Sequence, residues 1–395
     1  MTSNPAGDRL LPLLIRAWAG LVVVGMSAAA LPQAPLDGPR FTEVYQAGEA
    51  GFHTFRIPSL LPTRGGTLLA FAEARREGTA DAGDIDLVVK RSRDGGASWS
   101  ALQVVGDDGA NTVGNPCPVV DRTTGTIWLL TTRNRGADRE RDIIAGTSQG
   151  TRTVWAQKST DDGDTWSAPV EITASVKPAG WTWYATGPGI GIQTRAGRLV
   201  IPANHAEAGT GIHRSHIVYS DDGGAHWTLG ASADAGTNES QIVELSDGRL
   251  LLNMRNHPPK AENLRLVSIS RDGGRTLGAA APDRALIEPP AQASLIAAGG
   301  TTAADRRRLI FANPASPKRE RLTVRVSEDD GETWPIARVV HEGPAAYSSL
   351  AVLPDGAIGL LFERGDRSPY ERITFARLTR SFLSAGPAAS GTIVQ

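Results

Sequence analysis

An octapeptide of the form Ser-x-Asp-x-Gly-x-Thr-Trp, or a near variant of it, recurs five times in this chain of 395 residues. Self-similarity at a period of this size restricts the fold to one assembled from repeated supersecondary units. The copies are Ser92 to Trp99, Ser159 to Trp166, Ser220 to Trp227, Ser270 to Leu277 and Ser327 to Trp334. The first two serines are 67 residues apart and the third and fourth 50, which allows about one four-stranded sheet per copy. Within a copy, the Asp can accept backbone N–H bonds across a turn, the Gly permits a positive φ, and the terminal Trp can pack into the apolar layer beneath. The octapeptide reads as a staple for a hairpin.

Short apolar runs accompany the copies: Leu87-Val88-Val89, Thr126 to Leu130, Arg198 to Ile201, Arg249 to Leu252 and Ala357 to Leu361. They read as short buried strands at regular spacing. Gly and Pro are abundant, and no long helical period occurs after residue 40. The chain is therefore expected to be all-β, and radial repetition of small sheets makes it a six-bladed β-propeller of somewhat under 60 residues per blade. Five copies against six blades implies that one blade lacks the octapeptide.

Beyond the repeat, several single residues stand in distinctive contexts. They are Arg56 in Phe55-Arg56-Ile57-Pro58, Glu73 and Arg75 in Glu73-Ala74-Arg75, Glu239 in Asn238-Glu239-Ser240-Gln241 and Arg255 in Asn253-Met254-Arg255. Arg319 precedes Leu322-Thr323-Val324-Arg325, Tyr347 opens Tyr347-Ser348-Ser349-Leu350, and Glu363 closes Leu361-Phe362-Glu363. In their order and contexts these residues resemble the sialidase (neuraminidase) family, from about His53 to Glu363. The octapeptide alone is a weaker sign, because such boxes staple turns in propellers of several functions.

The resemblance implies a clamp of Arg56, Arg255 and Arg319 for the carboxylate of a sialic acid. Guanidinium suits that duty, being always charged and presenting a planar fork that matches a carboxylate with two parallel hydrogen bonds. It also implies Tyr347 as nucleophile, Glu239 as the base that takes its proton, and a mobile-loop Asp as general acid. Sialidases are the retaining glycosidases that attack with tyrosine. A carboxylate nucleophile would approach a centre already bearing a carboxylate about 4 Å away, a repulsion of roughly 4 kcal/mol at an effective dielectric of about 20. A neutral phenol avoids it but ionises only near pH 10, so it needs a base. The loop Glu77 to Asp86 offers Asp81, Asp84 and Asp86. Asp81 fits best in its reach from Arg56, with Asp84 next, and Gly78 and Gly83 bracket a segment able to close over substrate. Glu363 is expected to orient Arg56, and Glu73 with Arg75 to lie near the sugar's hydroxyls. Trp181, Trp183, Tyr184 and the Gly187-Pro188-Gly189 turn either wall the acyl-amino or glycerol side or belong to the core.

The N-terminus reads separately. Arg9 precedes a largely apolar stretch, Leu10 to Met26, ending near Ser27-Ala28-Ala29-Ala30. This is the pattern of a secretory leader over residues 1–30, followed by a Pro-rich lead-in over 31–40 and a catalytic domain over 41–395. Pro12 and Arg16 interrupt the apolar run below the roughly 20 residues a spanning helix needs, so stable membrane insertion is not expected. A secreted, extracellular location follows. With Cys117 as the sole cysteine, no intrachain disulfide or cysteine-cluster metal site can form, and burial is the expected state of that thiol. His213 and His216 are close but lack further metal-like company; no catalytic metal and no cofactor are expected, with a structural calcium left open. A net charge of −1 gives no electrostatic footprint for nucleic acid. The expected partners are sialylated glycans of glycoproteins, glycolipids or oligosaccharides, met by a monomer. The leading function is an exo-α-sialidase. A non-catalytic sialoglycan-binding propeller, a trans-sialidase and a hydrolase of deaminated sialic acids are the alternatives.

Overall fold

In the computed structural model, residues 38–257, 262–299 and 307–384 are described. The secretory leader expected over 1–30 and most of the 31–40 lead-in lie outside them. The described residues all belong to one compact unit.

The hydrogen-bonded strands divide into six antiparallel groups of four principal strands, the blades of a propeller. Blade 1 comprises Thr54–Pro62, Leu68–Arg75, Ile85–Ser92 and Gln103–Gly106, and blade 2 comprises Thr112–Val120, Ile127–Asn134, Thr153–Ser159 and Val170–Glu171. Blade 3 runs Trp181–Thr186, Leu199–Glu207, His213–Ser220 and Thr228–Ser232, with Ile192–Gln193 extending its inner edge. Blade 4 runs Thr237–Glu244, Leu250–Asn256, Leu264–Ser270 and Ala281–Ile287. Blades 5 and 6 share the long strand Ile336–Val352, whose first part is the outer strand of Ser294–Ala298, Arg308–Pro314 and Glu320–Ser327. Its second part is the inner strand beside Ile358–Arg364 and Arg372–Leu378.

Blade 6 takes its fourth strand from the other end of the chain: Arg40–Gln46 pairs antiparallel with Arg372–Leu378. This explains the count of octapeptides. Each copy occupies the turn between a third and a fourth strand, and blade 6 has no such turn because its fourth strand arrives from the N-terminus.

The core consists of six apolar layers between adjacent blades rather than one central mass. Leu68, Ala70, Ala72 and Ala74 pack toward blade 6, while the alternate residues Leu69 and Phe71 pack toward blade 2. Both faces of a blade are thus buried, which is why its strands read as nearly continuous apolar runs. Equivalent layers join blades 2 and 3, 3 and 4, 4 and 5, and 5 and 6.

The octapeptides serve these layers. In each, the Ser Oγ accepts from the Gly N–H and the Asp carboxylate accepts across the turn, as in Gly163 N to Ser159 Oγ at 2.9 Å and Thr165 N to Asp161 Oδ1 at 2.9 Å. The terminal aromatic leans on the preceding blade: Trp99 meets Phe375, Trp166 meets Phe71 and Trp227 meets Trp128, each edge to face. The glycine is required twice over at Gly224, where φ is +96° and a Cβ would stand 2.1 Å from Trp128 Nε1. Gly224→Ala should therefore lose about 2–4 kcal/mol from overpacking and left-handed strain. Gly109→Ala, at φ +60° in open space, should lose only about 1 kcal/mol; urea unfolding curves of the two compare them directly.

Hydrogen bonds from the box Thr or Ser, or from the His226 amide at Asp222, hold the carboxyls of Asp94, Asp161, Asp222 and Asp272 down at about 2. A depressed carboxyl contributes stability above its unfolded value of about 3.9 and loses it as pH falls toward the folded value. Thermal stability should accordingly fall between about pH 4 and pH 2, and an Asp161→Asn variant should show a smaller drop across that window in scanning calorimetry.

Candidate active site

Residues from all six blades line a cavity of about 1050 Å³ at one end of the propeller. The local device that aims them is a break in register. The inner strand slips against its second strand between Arg56 and Ser59, Gly114 and Cys117, Trp181 and Tyr184, Thr237 and Ser240, and Ala345 and Ser348. Such bulges turn a side chain out of the pleat. Two carry backbone strain: Ile57 has φ 58° and Asn115 φ 55°, an uncommon conformation for any side-chain-bearing residue and most of all for a β-branched one.

Tyr347, on the inner strand of blade 6, donates its hydroxyl into Glu239 on the inner strand of blade 4, with O···O separations of 2.7 and 2.8 Å to the two carboxylate oxygens. Arg255, on the second strand of blade 4, donates Nη1 to Glu239 Oε2 at 2.8 Å and to the Tyr347 hydroxyl at 3.4 Å. Arg56 and Arg319 stand over the Tyr347 ring at 5.1 and 5.5 Å from its centroid. Burial pushes the Tyr347 phenol well above its ordinary range and the charge of Glu239 pushes it further, against the pull of the three arginines.

Glu363 is fully buried and holds two of these elements together. Its Oε1 accepts from Arg56 Nε at 3.2 Å and from the Ile57 amide at 2.9 Å, and its Oε2 accepts from Arg56 Nη2 at 3.4 Å and from the Tyr347 amide at 3.0 Å. Arg319, just ahead of the third strand of blade 5, gives its hydrogen bonds to Tyr370 and to the Pro290 carbonyl, and forms no ion pair among the described residues. Its charge faces the cavity without a carboxylate.

The loop acid Asp81 projects into the cavity with its side chain 56% exposed, 3.3 Å from Arg56 and 2.8 Å from Arg75. Burial alone would raise its carboxyl, but the charges of Arg75 and Arg56 outweigh that and hold it below the usual carboxylate range. Asp84 instead pairs with Arg76 at 3.3 Å, and it does not line the cavity. Asp86 likewise pairs with Arg76, at 2.8 Å, away from the cavity. Glu73 pairs with Arg75 at 2.6 Å, and its other oxygen accepts from the Asn115 amide at 2.8 Å. The nine residues singled out from the sequence therefore converge on one place, with eight of them lining the cavity and Glu363 buried behind Arg56 and Tyr347.

Of the aromatics between 181 and 184, only Trp183 reaches the cavity. Trp181 stacks on His205, with ring centroids 3.3 Å apart, and Tyr184 lies wholly in the layer between blades 2 and 3. Cys117 belongs to the same layer, and burial raises its thiol out of reactive range. His216 pairs with His205 at 3.0 Å and His213 with Asn238 at 3.0 Å, so the two neighbours in sequence serve separate sites. Among the described residues no group of three or more His, Cys, Asp or Glu is arranged to hold a metal ion.

Sequence reasoning missed Asn115, Glu140, Arg152, Asn238, His257 and Tyr370, all of which line the cavity. Tyr370 carries Arg56 over its ring at 4.3 Å and accepts from Arg319, so it spaces two arginines of like charge. Glu140 opens the short helix Glu140–Ala145, and burial raises its carboxyl against the opposing charge of Arg152.

The BNR repeat-like domain family matches residues 66–360. The chain is 38% identical over 410 residues to a sialidase of Micromonospora viridifaciens, a match covering 96% of this chain and 62% of that protein. It is 36% identical over 371 residues to an exo-alpha-sialidase of Aspergillus fumigatus, covering 85% of this chain and 86% of the relative. Among solved structures, the Hadza microbial sialidase Hz136 superposes with a TM-score of 0.80 at 31% identity, over 87% of this chain and 69% of that one. Six blades, a converging set of arginines and these likenesses agree: the chain belongs to the sialidase family of glycoside hydrolases.

Proposed function

We infer that this protein is an exo-α-sialidase that releases terminal α-linked sialic acid with retention of configuration, through a covalent bond from Tyr347 to the sugar. The observation that carries the reading is the Tyr347 hydroxyl held between both oxygens of Glu239, beneath a group of arginines. The phenol is neutral in this setting and has an immediate acceptor for its proton.

The substrate carboxylate takes its seat against Arg56, Arg255 and Arg319, which fixes the anomeric carbon over Tyr347. Tyr347 Oη attacks that carbon as its proton passes to Glu239, and the bond to the aglycone oxygen breaks as Asp81 protonates it. Water then attacks the same carbon, giving a proton to Asp81, while Tyr347 Oη leaves and recovers its proton from Glu239. Before substrate arrives, the ion pairs with Arg75 and Arg56 hold Asp81 ionised. The incoming carboxylate competes for Arg56 and adds negative charge nearby, and both effects raise Asp81 toward the protonated form an acid needs.

The presence of Tyr347, Glu239 and Asp81 in one cavity supports catalysis over a binding-only propeller. A soluble, monomeric enzyme acting on sialylated glycans outside the cell, with a leader over 1–30 and its catalytic domain over 41–395, is part of the same reading. It is supported by the apolar stretch Leu10 to Met26 and the small residues that follow.

Tyr347→Phe should lower kcat on 4-methylumbelliferyl α-sialosides by at least about 10³-fold while the variant still binds free sialic acid; unchanged turnover would refute the nucleophile. Arg319→Ala should raise KM as well as lower kcat, since it removes the clamp member that carries no competing carboxylate. Asp81→Ala should lose most on sialyllactose and much less on the aryl sialoside, whose leaving group needs little protonation. Equal losses on both would remove Asp81 from the acid's role.

A further inference from the structure

The loop that carries Asp81 belongs to blade 1, yet its base is fastened to blade 2. Thr112, the first residue of the blade 2 inner strand, is 1% exposed. Its Oγ1 accepts from the Gly83 amide at 3.2 Å and donates to the Gly83 carbonyl at 3.0 Å, so one hydroxyl meets both polar backbone groups of a residue two places beyond Asp81. The chain leaving the loop continues the attachment, since Ile85 donates its amide to the Asn111 carbonyl at 3.2 Å and pairs parallel with Thr112. A second loop of blade 2 closes on the same point. Gly136 donates its amide to Asn111 Oδ1 at 3.1 Å, and a Cβ on Gly136 would stand 2.0 Å from the Ala110 carbonyl oxygen and 3.0 Å from that of Gly83.

Blade 1 adds two ties of its own: Arg76 donates its amide to the Asp84 carbonyl at 3.1 Å, and Arg75 donates Nη1 to the Thr79 carbonyl at 2.5 Å. Between these ties Ala80, Asp81 and Ala82 make no backbone hydrogen bond among the described residues. The Asp81 side chain is held by Arg56 and Arg75, and Arg56 is the partner that the substrate carboxylate takes. From that moment the carboxyl is placed by Arg75 and by its own backbone. Protonation of the departing oxygen needs hydrogen-bonding distance, and a displacement of about 1 Å can cost about 10²-fold.

We propose that Thr112 is a positioning residue for the general acid. By clasping Gly83 through both its amide and its carbonyl, the Thr112 hydroxyl ties the Asp81 loop to the inner strand of blade 2, so that one blade aims an acid the other carries. This deepens the sialidase reading and rests on it, and on Asp81 as the acid.

The test is Thr112→Val, which keeps the shape of the side chain and removes the hydroxyl, assayed on 3'-sialyllactose and on the 4-methylumbelliferyl sialoside. A displaced acid harms the substrate that needs protonation, so kcat should fall at least tenfold on sialyllactose and less than threefold on the aryl sialoside, with little change in either KM. Thr112→Ser, which restores the hydroxyl, should recover most of the sialyllactose turnover. Because Thr112 is buried and a variant can fail to fold, hydrogen exchange of the wild type supplies a reading without substitution: the Gly83 amide should exchange at least tenfold more slowly than those of Ala80 and Ala82. Equal losses on the two substrates in folded Thr112→Val, no loss on either, Thr112→Ser as impaired as Thr112→Val, or a Gly83 amide exchanging as fast as its neighbours overturns the proposal and leaves the sialidase reading intact. Turnover of neither substrate by the wild type overturns both.

Discussion

Glu363 is the group on which the catalytic geometry depends. The propeller closes where blade 6 meets blade 1, and there one fully buried carboxylate accepts from the Arg56 guanidinium, the Ile57 amide and the Tyr347 amide. Four donors on one carboxylate offset its desolvation, whereas loss of either charge would leave the other buried and uncompensated, a change worth about 3–5 kcal/mol. The same bonds register the clamp against the nucleophile. An arginine from blade 1 and a tyrosine from blade 6 hold a common geometry because both are measured from Glu363.

The charges around Tyr347 balance one another closely. Arg56, Arg255 and Arg319 converge on Tyr347, and Glu363, Glu239 and Asp81 answer the charges of Arg56 and Arg255. Arg319 alone is answered only by neutral oxygens, from Tyr370 and Pro290. The cavity is thus preorganised for one added carboxylate, with Asp81 as the partner able to yield because it sits on an exposed loop while Glu363 and Glu239 are anchored on strands.

Much of this was legible in the residues. The octapeptides marked third-to-fourth-strand turns, and the apolar runs fell within strands such as Ile85–Ser92 and Ile358–Arg364. Blade 6 was invisible as a box because its outer strand comes from Arg40–Gln46, a pairing across the whole chain that no local pattern announces. Three of the residues that were missed share a cause. Asn115 reaches the cavity through a bulge with positive φ, Arg152 stands just before its strand, and Tyr370 lies between strands, so none keeps the alternation from which orientation is read. Trp181 and Trp183 show the converse. A simple alternation gives both the same face, and the register slip between Trp181 and Tyr184 sends one to His205 and the other to the cavity.

The central claim is a covalent bond at Tyr347 Oη, and the direct measurement is to trap it. The protein is mixed with a 2,3-difluorinated sialic acid, whose fluorine at carbon 3 slows breakdown of the intermediate, then digested and sequenced by mass spectrometry. The sugar's added mass should appear on the peptide containing Tyr347, and should be absent when Tyr347→Phe is treated in the same way. Inactivation with the mass on Glu239, or turnover of the reagent with no bound species on Tyr347 at any time, would contradict the account.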